Sequence, residues 1–182
     1  MKLVVLGKTG FIGKAIFEHY QGSKEHKVRG FNSSQLNLTS FNAADELAKL
    51  LDDNTTLIVS ARAGKNSDPL KTFEQDIAIT NNIARAVAIT PVKKCVYFSS
   101  IAVYGEAVEN IHITEETETS PTSLYGISRI AGEFAIKNAA EKSGIPLTVF
   151  RPCMIYGPGD RVLPYGPNLF LKCVLEDASV KI

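Results

Sequence analysis

The spacing of apolar residues along this chain switches repeatedly between two periods. Residues 3–6 are a short continuous apolar run of the length of a buried strand. Ile12, Ile16 and Tyr20 then recur four apart, as on one face of a helix. Residues 27–31 form a second candidate strand, and 35–38 (Gln-Leu-Asn-Leu) a short extended piece. A helix follows with Ala44, Leu47 and Leu51 on one side, then a strand at 56–60. The longest periodic segment, 69–90, places Phe73, Ile77, Thr80, Ala84 and Val87 on one stripe. A strand at 94–99 leads into a loop rich in Thr and Glu. Ser120 is a good N-cap and Pro121 fits a first helical turn, so the next helix is expected from there to Ser143, stopped by Gly144 and Pro146. A strand at 146–150 and a short helix at 169–175 complete the pattern. Residues 179–182 look like the start of one more strand.

Strands alternating with helices predict an α/β fold built on a parallel sheet with helices on both faces. One step departs from that regularity. The few residues between Phe31 and Gln35 are too few for a helical crossover, which takes about a dozen. The two pieces on either side need not be parallel neighbours.

At 182 residues the chain is one domain by length. A net charge of +1 with no long basic run gives no reason to expect nucleic acid or an anionic membrane as partner. Cys95, Cys153 and Cys173 are odd in number and widely spaced, which excludes a complete disulfide framework. With His19, His26 and His112 scattered, no metal site is expected. The first six residues are too short an apolar run for a signal peptide, and no run approaches the roughly 18 residues of a membrane helix. The expected compartment is the cytoplasm.

The first chemistry-bearing motif is Gly7-Lys8-Thr9-Gly10-Phe11-Ile12-Gly13, between the first strand and the first helix. Glycine lets the backbone turn tightly and approach a pyrophosphate. The helix N-terminus behind it supplies unpaired N–H groups and a positive dipole end. Placed there, the loop predicts a dinucleotide site on a Rossmann-type, doubly wound sheet. An NAD site usually ends its second strand in an acid for the ribose 2′-hydroxyl. Here the segment is Phe31-Asn32-Ser33-Ser34, with none. Neutral Asn32 and Ser33 suit a 2′-phosphate, with Lys8 or Arg29 as charge unless those two are merely solvated. NADP is favoured over NAD.

The second motif is Tyr125 and Arg129, four apart and so on one helix face. A fixed positive charge beside a phenol favours the phenolate, which equips a tyrosine for acid/base work near neutral pH. Arg129 is either such a partner or an ordinary surface cation at i+4.

Together with Phe98-Ser-Ser-Ile-Ala-Val-Tyr-Gly105 and Arg151-Pro-Cys-Met-Ile-Tyr-Gly-Pro-Gly159, these motifs resemble the extended short-chain dehydrogenase/reductases: the nucleotide-sugar epimerases, dehydratases and reductases. The likeness covers nearly the whole chain. It implies Tyr125 as proton donor and acceptor, Ser100 as hydrogen-bond partner of the reacting oxygen, and Arg129 at a position normally held by lysine, which grips the nicotinamide ribose. It extends the cofactor contacts to Asn37, Ala61, Ala63, Pro152 and Ile155. Dehydratases of the family carry Asp-Glu where Ile101 and Ala102 stand, so the implied chemistry is plain hydride transfer, as in a 4-epimerase or 4-keto-sugar reductase. The implied partners are a nucleotide-sugar and a second copy of the chain. Family members continue past the Gly-Pro-Gly segment, so 1–182 is expected to be the NAD(P)-binding domain, with 152–182 the start of a substrate region largely missing. The alternative is a dinucleotide-binding module without turnover.

Overall fold

The computed structural model describes residues 1–64, 66–105, 112–160 and 166–176. The elements are β1 (Lys2–Leu6), α1 (Phe11–Tyr20), β2 (Lys27–Phe31), α2 (Ala43–Ala48), β3 (Thr55–Val59), α3 (Pro69–Ile89), β4 (Lys94–Phe98), a 3-10 turn (Ile101–Tyr104), α4 (Leu124–Lys142), β5 (Leu147–Phe150) and α5 (Gly166–Leu175). The strands pair in parallel in the order β2-β1-β3-β4-β5. From β1 the chain winds outward to β2, then crosses back to β3 and continues the other way. The carboxyl ends of β1 and β3 therefore open a crevice where the winding reverses, which is where open α/β sheets bind ligands.

Both faces of the sheet are covered. Leu3, Val5 and Ile58 point to one side, against Ile16 and Tyr20 of α1. Val4, Leu6, Leu57 and Val59 point to the other, against Ile79, Ile83 and Val87 of α3 and Ile136 and Ala140 of α4. The alternation along β1 and β3 is hidden in sequence because both faces are apolar.

Three local expectations need correction or completion. Residues 35–38, expected as a short extended piece, run from a turn at Gln35 to a turn at Leu38 and join no strand; Leu36 and Leu38 are buried, and Asn82 of α3 donates to the carbonyls of Leu38 at 2.9 Å and Ser40 at 3.0 Å. Helix α4 starts three residues later than its sequence signal: Ser123, with extended backbone, accepts from the Gly126 N–H at 3.1 Å, whereas the Ser120 N–H donates to the Val103 carbonyl and ties that residue to the 3-10 turn. The buried stripe of α3 is Asp76, Ile79, Thr80, Asn82, Ile83, Ala86 and Val87, rotated from the expected one, since Phe73, Ile77 and Ala84 are only half-buried. The strand expected at 179–182 lies outside the described residues.

Candidate functional site

The crevice holds a cavity of about 440 Å³ bounded by the glycine loop, the end of β2 and the segment after β3. Gly7 has φ +90°, a conformation L side chains rarely adopt, and a Cβ there would lie 2.8 Å from the Ala61 amide nitrogen. At Gly13 a Cβ would fall on the Gly7 carbonyl and the Ser60 hydroxyl. Gly10 is different. A Cβ there would meet only the Gly7 carbonyl, at an ordinary 3.4 Å, yet Gly10 lines the cavity. It is also the N-cap of α1, whose first turn has no side-chain cap and no acid. The positive end of the helix dipole is therefore uncompensated at the cavity wall.

At the end of β2, the Asn32 side-chain oxygen accepts from Ser34 Oγ at 2.8 Å and the Gln35 N–H at 3.1 Å. Asn37 Oδ1 is engaged likewise by the N–H and hydroxyl of Thr39. Each carboxamide thus has its acceptor occupied and its N–H donors on offer. Asn32, Ser33, Asn37, Ala61 and Ala63 all line the cavity, as does Thr9, and among the described residues no carboxylate does. Lys8 is turned away, its ammonium 5.4 Å from the Phe17 ring centroid. Arg29 lies over the ring of Phe31, itself part of the cavity wall. Phe11 and Ile12 are half-buried in the first turn of α1 and do not line the cavity.

Tyr125, in the first turn of α4, lines a neighbouring cavity of about 220 Å³ with Phe73, Asp76 and Leu124. The absence of a side chain at Gly126 lets that turn rest on the Ala102 backbone, so the elements carrying Tyr125 and Ser100 are in contact. Ser100 caps the 3-10 turn, accepting from the Ala102 N–H at 3.2 Å. Ser99 is buried and donates to Glu133, which holds Arg151 through two bonds of 3.0 and 2.7 Å; Arg151 in turn donates to the Tyr104 hydroxyl at 2.7 Å. The Glu133 hydrogen bonds raise Arg151 above the ordinary guanidinium value, so the guanidinium stays charged. Pro152 and Ile155 fall elsewhere, on a groove of about 830 Å³ at the ends of β4 and β5.

Arg129 is neither solvated nor in the cavity wall. It is 2% exposed, with Nη2 3.0 Å from Asp76 Oδ1. Its guanidinium sits 5.4 Å from the Tyr125 ring centroid and 6.0 Å from that of Tyr97. The contact with Asp76 is close but poorly aligned, leaving Nε and Nη2 without a hydrogen-bond acceptor of proper geometry. Asp76 is committed as well: Oδ1 accepts from the Ala63 N–H at 2.7 Å and Oδ2 from Ser128 Oγ at 3.4 Å. The surface-cation reading of Arg129 is thereby corrected. Burial also pushes the Tyr97 phenol up to about 12, against the pull of Arg129, so Tyr97 stays neutral.

Residues 3–179 match the family model described as "NAD dependent epimerase/dehydratase family". The chain belongs to this family. A UDP-glucose 4-epimerase of Vibrio cholerae is 27% identical over 173 residues, covering 86% of this chain and 52% of the relative. Among solved structures, the UDP-glucuronic acid 4-epimerase of Bacillus cereus in complex with NAD has a TM-score of 0.79 at 23% identity, over 100% of this chain and 65% of that one. RMD from Pseudomonas aeruginosa complexed with NADPH gives 0.73 at 24% identity, over 88% and 57%. At these identities the structures establish the shared fold. The chain spans between about half and two thirds of the length of each of these three relatives.

Within this family fold, two residues stand at the site that sequence reasoning did not single out. Asp76 hides in a helical pattern as one acid among polar neighbours. Arg62 follows β3 and stands 4.8 Å from the Tyr125 ring centroid. Its signal was a lone cation in the small-residue run Ser60-Ala61-Arg62-Ala63-Gly64.

Proposed function

We propose that this chain is the NAD(P)-binding part of a nucleotide-sugar 4-epimerase or 4-keto-sugar reductase, with Tyr125 as its acid/base. The observation that carries the reading is the glycine cradle at the winding reversal: Gly7 and Gly13 close-packed, Gly10 left bare on the cavity wall. The lining of that cavity suits the adenosine and diphosphate part of a dinucleotide. The α1 N-terminus and Gly10 would hold the pyrophosphate, and Asn32, Ser33 and Asn37 would meet the adenosine ribose. Without a carboxylate to repel a 2′-phosphate, and with Arg29 near the mouth, NADP is preferred over NAD.

When bound, the nicotinamide supplies the hydride acceptor and donor. Tyr125 removes a proton from the sugar hydroxyl as it becomes a carbonyl and returns it in the reverse sense. Ser100, held at the start of the 3-10 turn, orients that oxygen with its hydroxyl. The relative named as a UDP-glucose 4-epimerase and the solved UDP-glucuronic acid 4-epimerase support a nucleotide-sugar as substrate. The test is single-turnover reduction of bound NAD(P) by a panel of nucleotide-sugars, followed spectrophotometrically in a version of the protein extended over the length of its relatives. That protein is expected to reduce its cofactor with at least one sugar, and its Tyr125→Phe variant with none; an active protein indifferent to Tyr125→Phe has another acid/base.

The burial of Arg129 against Asp76 favours a second reading, a dinucleotide-binding module without turnover. An ion pair 3% and 2% exposed presents no accessible donor to a ribose. Cofactor binding with no reduction by any nucleotide-sugar in the extended protein selects this reading.

A further inference from the structure

Arg129, the cation four residues after Tyr125, is withdrawn from the open site. Arg129 is buried, paired with Asp76, and absent from the walls of both cavities beside it. Arg62 occupies the opposite situation. It is exposed, it lines the cavity of the glycine loop, and among the described residues it forms no ion pair. Its guanidinium stands 4.8 Å from the Tyr125 ring centroid, closer than the 5.4 Å of Arg129. Arg62 therefore sits between the cavity proposed for the dinucleotide and the cavity that Tyr125 lines.

The backbone that presents Arg62 is fixed. The next residue, Ala63, is 6% exposed and its N–H donates to Asp76 Oδ1 at 2.7 Å. One carboxylate thus pins the segment that carries Arg62 while neutralising Arg129. A planar fork with five donors suits phosphate oxygens and vicinal hydroxyls, and stacking on an aromatic ring orients it without using those donors.

We propose that Arg62, not Arg129, is the cation with which this chain holds the nicotinamide-side phosphate and ribose of a bound dinucleotide. This rests on the dinucleotide reading above and names a binding residue within it.

The experiment titrates NADPH, followed by its fluorescence, and AMP, followed by calorimetry, into wild type, Arg62→Gln and Arg62→Lys. Arg62 is exposed, so all three are expected to melt together. Arg62→Gln should weaken NADPH about tenfold or more, as loss of a charged hydrogen bond implies. It should leave AMP, which ends at the adenosine phosphate, unchanged, and Arg62→Lys should recover most of the NADPH affinity. NADPH binding unchanged in Arg62→Gln overturns the assignment and leaves the dinucleotide reading standing. Equal weakening of AMP and NADPH, or no recovery by lysine, also overturns it. If wild type binds AMP but neither NADPH nor NADH, the dinucleotide reading itself fails, and the inference with it.

Discussion

At Gly13 an added methyl would collide with the Gly7 carbonyl and the Ser60 hydroxyl, both parts of the fold's own framework. At Gly10 it would reach nothing closer than 3.4 Å, although it would project at the cavity wall. Substitution at the two positions should separate stability from binding. Gly13→Ala is expected to cost about 1–3 kcal/mol by overpacking, read from urea denaturation. Gly10→Ala should cost no more than about 1 kcal/mol, the N-cap preference of glycine over alanine, and still lose NADPH affinity in a fluorescence titration. Equal effects of both on binding and stability would remove the distinction between a packing glycine and a ligand glycine. Asp76 makes a second residue-level test. Asp76→Asn keeps an acceptor for the Ala63 N–H but strands the Arg129 charge, which should cost about 3–5 kcal/mol. Adding Arg129→Met should restore most of that loss. If the double variant is no more stable than the single one, charge compensation is not what Asp76 supplies.

Helices α3 and α4 lie side by side, and their sequences succeed in different ways. Asp68 caps α3, accepting from the Leu70 N–H at 2.9 Å, with Pro69 in the first turn. That start is legible because the cap and the proline are adjacent in sequence. For α4 two serines compete, and Ser123 takes the cap while Ser120 is held by Val103. Ser123→Ala is therefore expected to cost about 1 kcal/mol and to loosen the turn that carries Tyr125, whereas Ser120→Ala should be near neutral. Thermal melts of the two variants decide it; the reverse order would return the cap to Ser120. The interior of α3 misleads for another reason. Its buried face carries Asp76, Thr80 and Asn82, polar groups whose partners lie far along the chain, so an apolar stripe alone points to the wrong face.

On the whole molecule, Val87 of α3 is fully buried in the chain's own core and is not available to a partner. Ile89 (55%), Ile127 (40%) and Phe134 (67%) remain exposed on the two long helices. We propose that the outer side of these two helices pairs two copies of the chain, with the exposed Phe134 in the contact. Light scattering should give a dimer at high micromolar concentration, and Phe134→Glu a monomer that keeps the native far-UV circular dichroism but melts lower, since the partner no longer stabilises the folded state. A monomeric wild type would show that these side chains face solvent or another partner. Thiol chemistry offers a check on the packing itself. Cys95 is buried in the sheet, and burial raises its thiol to about 12, whereas Cys153 is exposed. Native protein should label at Cys153, with Cys95 protected until denaturant is added; early labelling of Cys95 would contradict the core described here.

The amino-acid sequence alone determined the order of strands and helices, the glycine loop at the first βα junction and the Tyr125 motif. These depend on neighbours within a few positions, where periodicity, capping and backbone freedom act directly. Gly7, Asn32 and Ser33, directly after β1 and β2, were legible as cavity wall from their place at the strand ends, whereas Asn37, Ala61 and Ala63 were expected there only through the family resemblance. Only the tertiary structure decided which way the long cations turn. Lys8 leaves the cavity for Phe17, Arg29 lies over Phe31, Arg129 is drawn inside by an aspartate 53 positions away (129 minus 76), and Arg62 is left at the opening. The physical reason is reach. A glycine's role follows from its own backbone, whereas a guanidinium at the end of a flexible side chain goes where a distant carboxylate or ring offers it most.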